Sequence, residues 1–220
     1  MKGKVAEIFK SIQGEGPYQG ETQIFVRLAG CNLSCAYCDT TTEKFEEMDS
    51  DVVLGQISLL GPCRTVSITG GEPLVQADFV RELAEKLKKL EYKVYLETNG
   101  VLCDELKKVI DFVDIISMDF KLPSATNRKE QWAEHADFLK ISRQKEVYVK
   151  AVVAPVTQIG DIQEAIKTLR DHRDILFVLQ PQHPHENVLK GKLAFYKMLC
   201  RLHGINVRIM EQLHKKLGLR

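Results

Sequence analysis

The chain has almost no net charge and no long apolar run. Across its 220 residues, 31 basic and 30 acidic side chains leave a formal charge of +1. No basic run marks a nucleic-acid surface. No stretch reaches the roughly 18 apolar residues that a membrane helix needs. Lys2 and Lys4 are not followed by the apolar segment of a secretory leader. No internal repeat or low-complexity linker interrupts the chain, so one domain over residues 1–220 is expected, long enough to bury a sizeable core. With 44% hydrophobic and 28% charged residues, the composition is that of an ordinary globular protein. These absences predict a cytoplasmic protein with no membrane or nucleic-acid partner. The cytoplasm keeps thiols reduced, so the six cysteines are not expected in disulfides.

Histidine is also missing where a metal site would want it. The first is His135, yet three cysteines crowd into Cys31-Asn-Leu-Ser-Cys35-Ala-Tyr37-Cys38. Their C-x3-C-x2-C spacing follows an apolar segment, 24–29, that reads as a strand ending at Gly30. A structural zinc site closes with four protein ligands, and an iron–sulfur cluster usually has four thiolates. The next cysteine is Cys63, so three ligands stand without an obvious fourth. That points to a cluster with one iron left open for a non-protein ligand. A zinc-binding module without enzymatic activity is the competing possibility. Cys63, Cys103 and Cys200 sit singly near apolar residues and read as core or incidental.

Taken in order, the chain alternates. Residues 5–12 open with a strand and 13–20 form a glycine-rich loop. A strand at 23–29 leads to the cysteine loop at 30–42. A helix follows at 49–60, with Asp49, Ser50 or Asp51 near its N-cap. A β-branched run at 64–69 precedes Gly70-Gly71-Glu72-Pro73. The stretch 78–90 is strongly amphipathic, with Phe79, Leu83, Ala84, Leu87 and Leu90 on one face. Strands are then expected at 92–98, 113–119, 146–154, 175–180 and 205–210. Helices are expected at 104–111, 129–138, 159–172 and 189–203, and the tail 211–220 is polar. Alternating strands and helices imply right-handed βαβ units and a parallel sheet. About six units after the cysteine strand suit a partial barrel better than a closed one of eight.

Parallel α/β sheets bind ligands at the carboxyl ends of their strands. Those ends carry the cysteine loop, Thr69-Gly70-Gly71-Glu72-Pro73, Glu97-Thr98-Asn99-Gly100, Ser117-Met118-Asp119-Phe120-Lys121 and Gln180-Pro181. Paired glycines at 70–71 remove side chains where a ligand must approach the backbone. Arg27 lies in an otherwise apolar strand, where a charge is costly unless paired. A buried carboxylate partner is one explanation, and an outward-facing arginine is the other.

C-x3-C-x2-C with Tyr37 before the last cysteine resembles the signature of radical S-adenosylmethionine enzymes. Gly-Gly-Glu-Pro about thirty residues later is similar to that family's second motif. The resemblance implies a partial (β/α)6 TIM-like barrel of the radical SAM type with reduced helices. It implies a [4Fe–4S] cluster on Cys31, Cys35 and Cys38, with S-adenosylmethionine chelating the open iron. Tyr37, Cys38, Asp39, Gly71, Glu97, Asn99, Ser117, Lys121 and Gln180 would line that cofactor, and Glu97 is a candidate base.

Ser11-Ile12-Gln13-Gly14-Glu15-Gly16 with Arg27, and Cys38-Asp39-Thr40, further resemble the 7-carboxy-7-deazaguanine synthase family of queuosine and deazapurine biosynthesis. That resemblance implies a carbon–nitrogen lyase converting 6-carboxy-5,6,7,8-tetrahydropterin to 7-carboxy-7-deazaguanine with loss of ammonia. Ile12, Gln13, Gly14, Arg27 and Thr69 would contact the pterin, and His214 and the Arg220 carboxylate would close over it. Thr40 would ligate Mg²⁺. An electron donor such as flavodoxin and a homodimer are implied as well. A small glycyl-radical-activating enzyme shares the cysteine motif and is the nearer alternative, favoured by the Asp119-Phe120-Lys121 element.

Overall fold

The computed structural model describes residues 1–38 and 44–219. The strands are β1 (Lys2–Ile12), β2 (Thr22–Leu28), β3 (Glu46–Asp49), β4 (Thr65–Gly70), β5 (Lys93–Thr98), β6 (Ile115–Asp119), β7 (Glu146–Val153), β8 (Phe177–Pro181) and β9 (Val207–Ile209). The helices are α1 (Ser50–Leu59), α2 (Ala77–Lys89), α3 (Cys103–Val109), α4 (Pro123–Thr126), α5 (Trp132–Ser142), α6 (Ile159–Leu169), α7 (Glu186–Leu202) and α8 (Leu213–Lys216). One sheet takes the order β3-β1-β2-β4-β5-β6-β7-β8-β9. From β2 through β4 to β9 the strands are parallel, whereas β1 is antiparallel to both β2 and β3. The sheet is not closed: β3 and β9 are its two edges. The expected partial barrel is thus present, with an antiparallel ribbon added on its first side.

Side chains alternate across each strand, and here the alternation sorts two chemistries. Ile24, Val26, Leu28, Val66, Ile68, Val94, Leu96, Ile116, Met118, Val149 and Ala151 face the helices and join one core. Helix α2 shows why this side is stable. Phe79, Val80, Leu83, Ala84 and Leu87 recur at helical spacing and are buried, while lysines fill the last turn of the opposite face. Each such large side chain contributes about 1.5–3 kcal/mol on burial. The other face of the same strands is polar where it approaches their carboxyl ends. Deeper in, it is sealed by Tyr95, Ile115, Tyr148 and Val178. Two of these, Tyr95 and Tyr148, share a hydrogen bond of 2.6 Å between their hydroxyls.

Element identity agrees with the sequence almost throughout, and the boundaries move. Strand β1 begins at Lys2 rather than residue 5. The helix expected at 129–138 lies at 132–142 as α5, and a short α4 that was not expected precedes it, ending where Asn127 turns left-handed (φ 55°). Helix α6 stops at Leu169, short of residue 172, and β9 is only three residues long. Asp49 is the α1 N-cap by position, but its side chain makes no capping hydrogen bond. Strand β3 was not expected. Its sequence Glu-Glu-Met-Asp has low strand propensity, and it forms because it meets the basic start of β1, Lys2 opposite Asp49 and Lys4 opposite Glu47.

Candidate active site

The cysteine loop leaves β2 at Gly30 and is tied down by its neighbours. Ala36 N–H donates to Thr126 O at 3.0 Å, and Arg128 Nε donates to Ser34 O at 2.5 Å. Arg128 also bonds the Ser34 hydroxyl. Asn32 accepts from Asn99 Nδ2 at 2.7 Å. The Tyr37 ring packs against the core, with the Lys121 ammonium 5.7 Å from its centroid. Gly70 and Gly71 have a reason that sequence did not reveal. A Cβ on Gly70 would lie 2.1 Å from Leu28 O, and one on Gly71 2.3 Å from Gly30 O and 2.9 Å from Cys31 Cβ. The space that these glycines leave is filled by the chain's own cysteine strand.

Burial pushes the Cys31 and Cys35 thiols up, and each feels its neighbouring cysteines, while Lys121 acts in the opposite direction. Among the described residues no three His, Cys, Asp or Glu side chains converge as ligands of one ion. A four-iron cluster asks for no such convergence, because each thiolate takes its own iron. All six cysteines are free thiols. Cys63 and Cys103 bond to backbone carbonyls and Cys200 is buried, as expected of incidental residues. Surface depressions of about 460 and 550 Å³ lie among α2, α3 and α5, and the lone thiol of Cys103 is their only cysteine.

Beyond the loop, the polar face gathers residues from many strands. Arg27 is on this inner face, in register with Thr69, and not outward. It is half-buried, its Nε 3.7 Å from Glu7 Oε2 and its guanidinium 5.5 Å from the Phe9 ring centre. That Nε makes no hydrogen bond, so Glu7 balances the charge without satisfying the donor. Thr69 Oγ1 donates to Glu97 Oε2 at 2.8 Å, and Gln13 Nε2 donates to Glu97 Oε1 at 3.0 Å. Gln13 Oε1 accepts from Glu15 N–H at 3.0 Å. The Gln13 amide is thus engaged within the protein. Ile12 ends β1 beside this group.

A second cluster lies farther along the sheet. Glu15 accepts from Gln180 Nε2 at 3.0 Å and from Gln212 Nε2 at 2.7 Å, and it pairs with Lys150. Burial opposes its charge, but Lys150 and these donors hold Glu15 down to about 2. Burial likewise works against Lys150, yet Glu15 and Asp119 keep it well above the ordinary lysine range. Lys121 is opposed by burial too, and Asp119, 2.8 Å away, holds it charged. The tail follows the same loop: Leu213 N–H donates to Gly14 O at 2.9 Å, and His214 packs so tightly that a Cβ on Gly14 would sit 1.8 Å from its Nδ1.

The fold thus brings together Gln13, Gly14, Arg27, Thr69, Glu97, Gln180 and His214 on one face, with Ser117 among them at 1% exposure. Asp39, Thr40 and Arg220 lie outside the described residues. Glu15, Lys150, Glu72 and His135 are functional-site neighbours that sequence reasoning did not assign. Lys150 carried the same signal as Arg27, a charge inside an apolar strand, Val149-Lys150-Ala151. Buried polar atoms of Gln23, Arg27, Asn99, Asp119 and Gln180 lack protein partners. Such atoms are costly unless something bonds them, which marks the face as a binding surface for a polar ligand. The thiol set and this orphaned acceptor and donor set fit a cluster with a polar organic cofactor.

An open parallel sheet with three loop thiols at the end of its first parallel strand defines the class. The chain belongs to the radical SAM superfamily, whose model matches residues 25–173. Within that superfamily it belongs to the 7-carboxy-7-deazaguanine synthase family. It is 34% identical to the 7-carboxy-7-deazaguanine synthase of Geobacter sulfurreducens, over 98% of this chain and 97% of that one. It is 40% identical to the one of Methanospirillum hungatei, over 98% and 86%. The fold matches the crystal structure of QueE from Escherichia coli with a TM-score of 0.71, covering 97% of this chain and 95% of that one at 22% identity. Membership sets aside the zinc-module alternative. No helix of the described residues is long and apolar enough to cross a membrane.

Proposed function

We propose that the chain converts 6-carboxy-5,6,7,8-tetrahydropterin to 7-carboxy-7-deazaguanine, contracting the ring and releasing ammonia. Full-length similarity to enzymes that carry this name supports it, and Arg27 is the observation that carries the choice of substrate. A half-buried guanidinium with an unbonded Nε, on the inner face beside Thr69, suits a planar carboxylate that can take two parallel hydrogen bonds. Glu7 occupies that neighbourhood loosely at 3.7 Å, so an incoming carboxylate competes with it.

In this account Cys31, Cys35 and Cys38 hold the [4Fe–4S] cluster, and S-adenosylmethionine lies along Gly71, Glu97, Asn99, Ser117, Lys121 and Gln180. When bound, these groups supply a hydrogen-abstracting 5′-deoxyadenosyl radical and take the hydrogen back. Loss of ammonia from an otherwise isomerised substrate changes no net electron count, so the returned hydrogen balances the reaction. The protein orients the pterin and excludes water. Arg27 grips the carboxylate, and the Gln13–Glu97–Thr69 chain presents fixed polar atoms to the ring. The tail at His214, held on Gly14, covers that end of the face, and the Arg220 carboxylate is carried as a further pterin contact from the family resemblance alone. Glu97 is the candidate carboxylate for proton transfer, and its two donors, Thr69 and Gln13, keep its oxygens aimed. By resemblance, Thr40 would offer a hard oxygen to Mg²⁺, and Asp39 and Tyr37 would contact the cofactor. We further place the enzyme in the cytoplasm as a single catalytic unit over residues 1–220, a homodimer that takes electrons from a flavodoxin-type donor.

Binding tests the substrate choice. The protein should bind the carboxylated pterin in preference to the same pterin lacking its carboxylate. Arg27→Ala should weaken the first about tenfold to a hundredfold, the range for a lost charged hydrogen bond, and leave the second unchanged. Equal affinity of wild type for both pterins would remove the carboxylate clamp.

A further inference from the structure

Asn99 is held from three directions by residues far apart in the chain. Its backbone N–H donates to Glu72 Oε2 at 2.7 Å, and its carbonyl faces His135 Nε2 at 3.1 Å. Its side-chain Nδ2 donates to Asn32 Oδ1 at 2.7 Å. A carbonyl only accepts, so Nε2 carries the ring proton of His135. The ring itself is locked. It stacks on Phe120 at 4.8 Å and 19°, and meets Trp132 at 5.8 Å and 70°. Glu72 and His135 are fully buried and Asn99 is 4% exposed. Glu72 also accepts from Leu74 N–H and the Thr98 hydroxyl, which ties the Gly-Gly-Glu-Pro turn to the end of β5.

Asn32 lies between Cys31 and Cys35, so its bond to Asn99 links the cysteine loop to β5. After these contacts, Asn99 Oδ1 is buried without a protein partner. A buried amide oxygen left open at a strand end, on the residue that bonds Asn32 next to Cys31, is an acceptor waiting for a donor. An ammonium or hydroxyl of a small polar ligand provides one.

We propose that His135 and Asn32 are positioning residues of the cofactor site, which act through Asn99 by presenting its Oδ1 and the cysteine loop to S-adenosylmethionine in one fixed arrangement. The proposal rests on the assignment of the cluster to Cys31, Cys35 and Cys38. Neither residue touches the reacting atoms. His135 fixes the carbonyl side of Asn99 from α5, and Asn32 fixes its amide side from the loop. Losing either should let the Asn99 side chain turn, and outer-layer partners of this kind typically cost about 10- to 100-fold in affinity.

The test uses anaerobically reconstituted wild type, Asn32→Ala, His135→Phe and His135→Gln. Iron per chain, the melting temperature of the metal-free protein, and the S-adenosylmethionine affinity are measured. The affinity is read from the change in the reduced cluster's electron paramagnetic resonance spectrum during titration. Glutamine can donate to Asn99 O and phenylalanine cannot. All four proteins should load iron equally, while Asn32→Ala and His135→Phe bind S-adenosylmethionine at least about tenfold more weakly. His135→Gln should recover most of the loss, which a merely structural role would not require. Full iron with wild-type affinity in Asn32→Ala and His135→Phe overturns the proposal alone. Should His135→Phe fail to fold, Asn32→Ala decides, since Asn32 is exposed and its removal leaves the core intact. Failure of wild type to take up iron overturns the cluster assignment and this proposal with it.

Discussion

Burial treats the charged side chains of the inner face differently, according to whether each has a partner. Glu15 and Lys150 are both deeply buried and stay charged because each faces the other. His135 has no such partner. Burial lowers it from 6.5 to about 4, and the small pull of Asp119 is opposed by Lys121. The consequence for stability has a definite sign. Above pH 6.5 the ring is neutral in both folded and unfolded chains and contributes no pH dependence. As pH falls through 6.5 the unfolded chain takes a proton that the native chain refuses until about 4. Stability is therefore lost on acidification, by about 2–3 kcal/mol between pH 7 and 4.5 for a shift of this size. His135→Gln should lack that loss. Urea unfolding of the metal-free proteins at the two pH values checks it, and parallel losses in both would contradict the assignment of a buried neutral ring.

Single residues also show where sequence was legible. Arg27 stood out because a charge in an apolar strand demands an explanation, and it does lie on the inner face. Lys150 gave the same signal and was passed over within a β-branched run. His135 gave none: it sits in a helix whose polarity looks ordinary, and only the fold brings it under Asn99. Glu15 was visible as part of a loop, but its role as the acceptor for Gln180 and Gln212 depends on contacts 165 and 197 residues away.

Among the elements, the strand-to-loop joints matter most. The β4 end approaches the β2 end so closely that Gly71 has no room for a side chain. Gly71→Ala must push on Gly30 O and Cys31 Cβ, backbone and loop atoms that cannot swing aside cheaply. The substituted protein should fold, since its helical core is untouched, but hold markedly less iron per chain after anaerobic reconstitution. Wild-type iron content in Gly71→Ala would show that the joint tolerates a shift. Element types were readable because α2 and the central strands obey clean periodicities. Strand β3 was not, because its pairing with Lys2–Val5 is electrostatic and lies at an edge, where charge is expected rather than apolar pattern.

At the scale of the molecule, the two faces of one sheet divide the work. The helix side supplies a continuous apolar core. The inner side carries side chains that a parallel sheet buried on both faces would normally avoid. That division was half visible in sequence: alternation and strand-end motifs pointed to the candidate site and to an unclosed barrel, while the antiparallel β1–β3 ribbon came only with the fold. The most direct measurement is turnover. Reconstituted protein is incubated without oxygen with 6-carboxy-5,6,7,8-tetrahydropterin, S-adenosylmethionine, a low-potential reductant and Mg²⁺, and products are identified by mass spectrometry. The account predicts 7-carboxy-7-deazaguanine and ammonia in equal amounts, with S-adenosylmethionine regenerated rather than consumed in step. Cleavage of S-adenosylmethionine with the pterin left intact would contradict it.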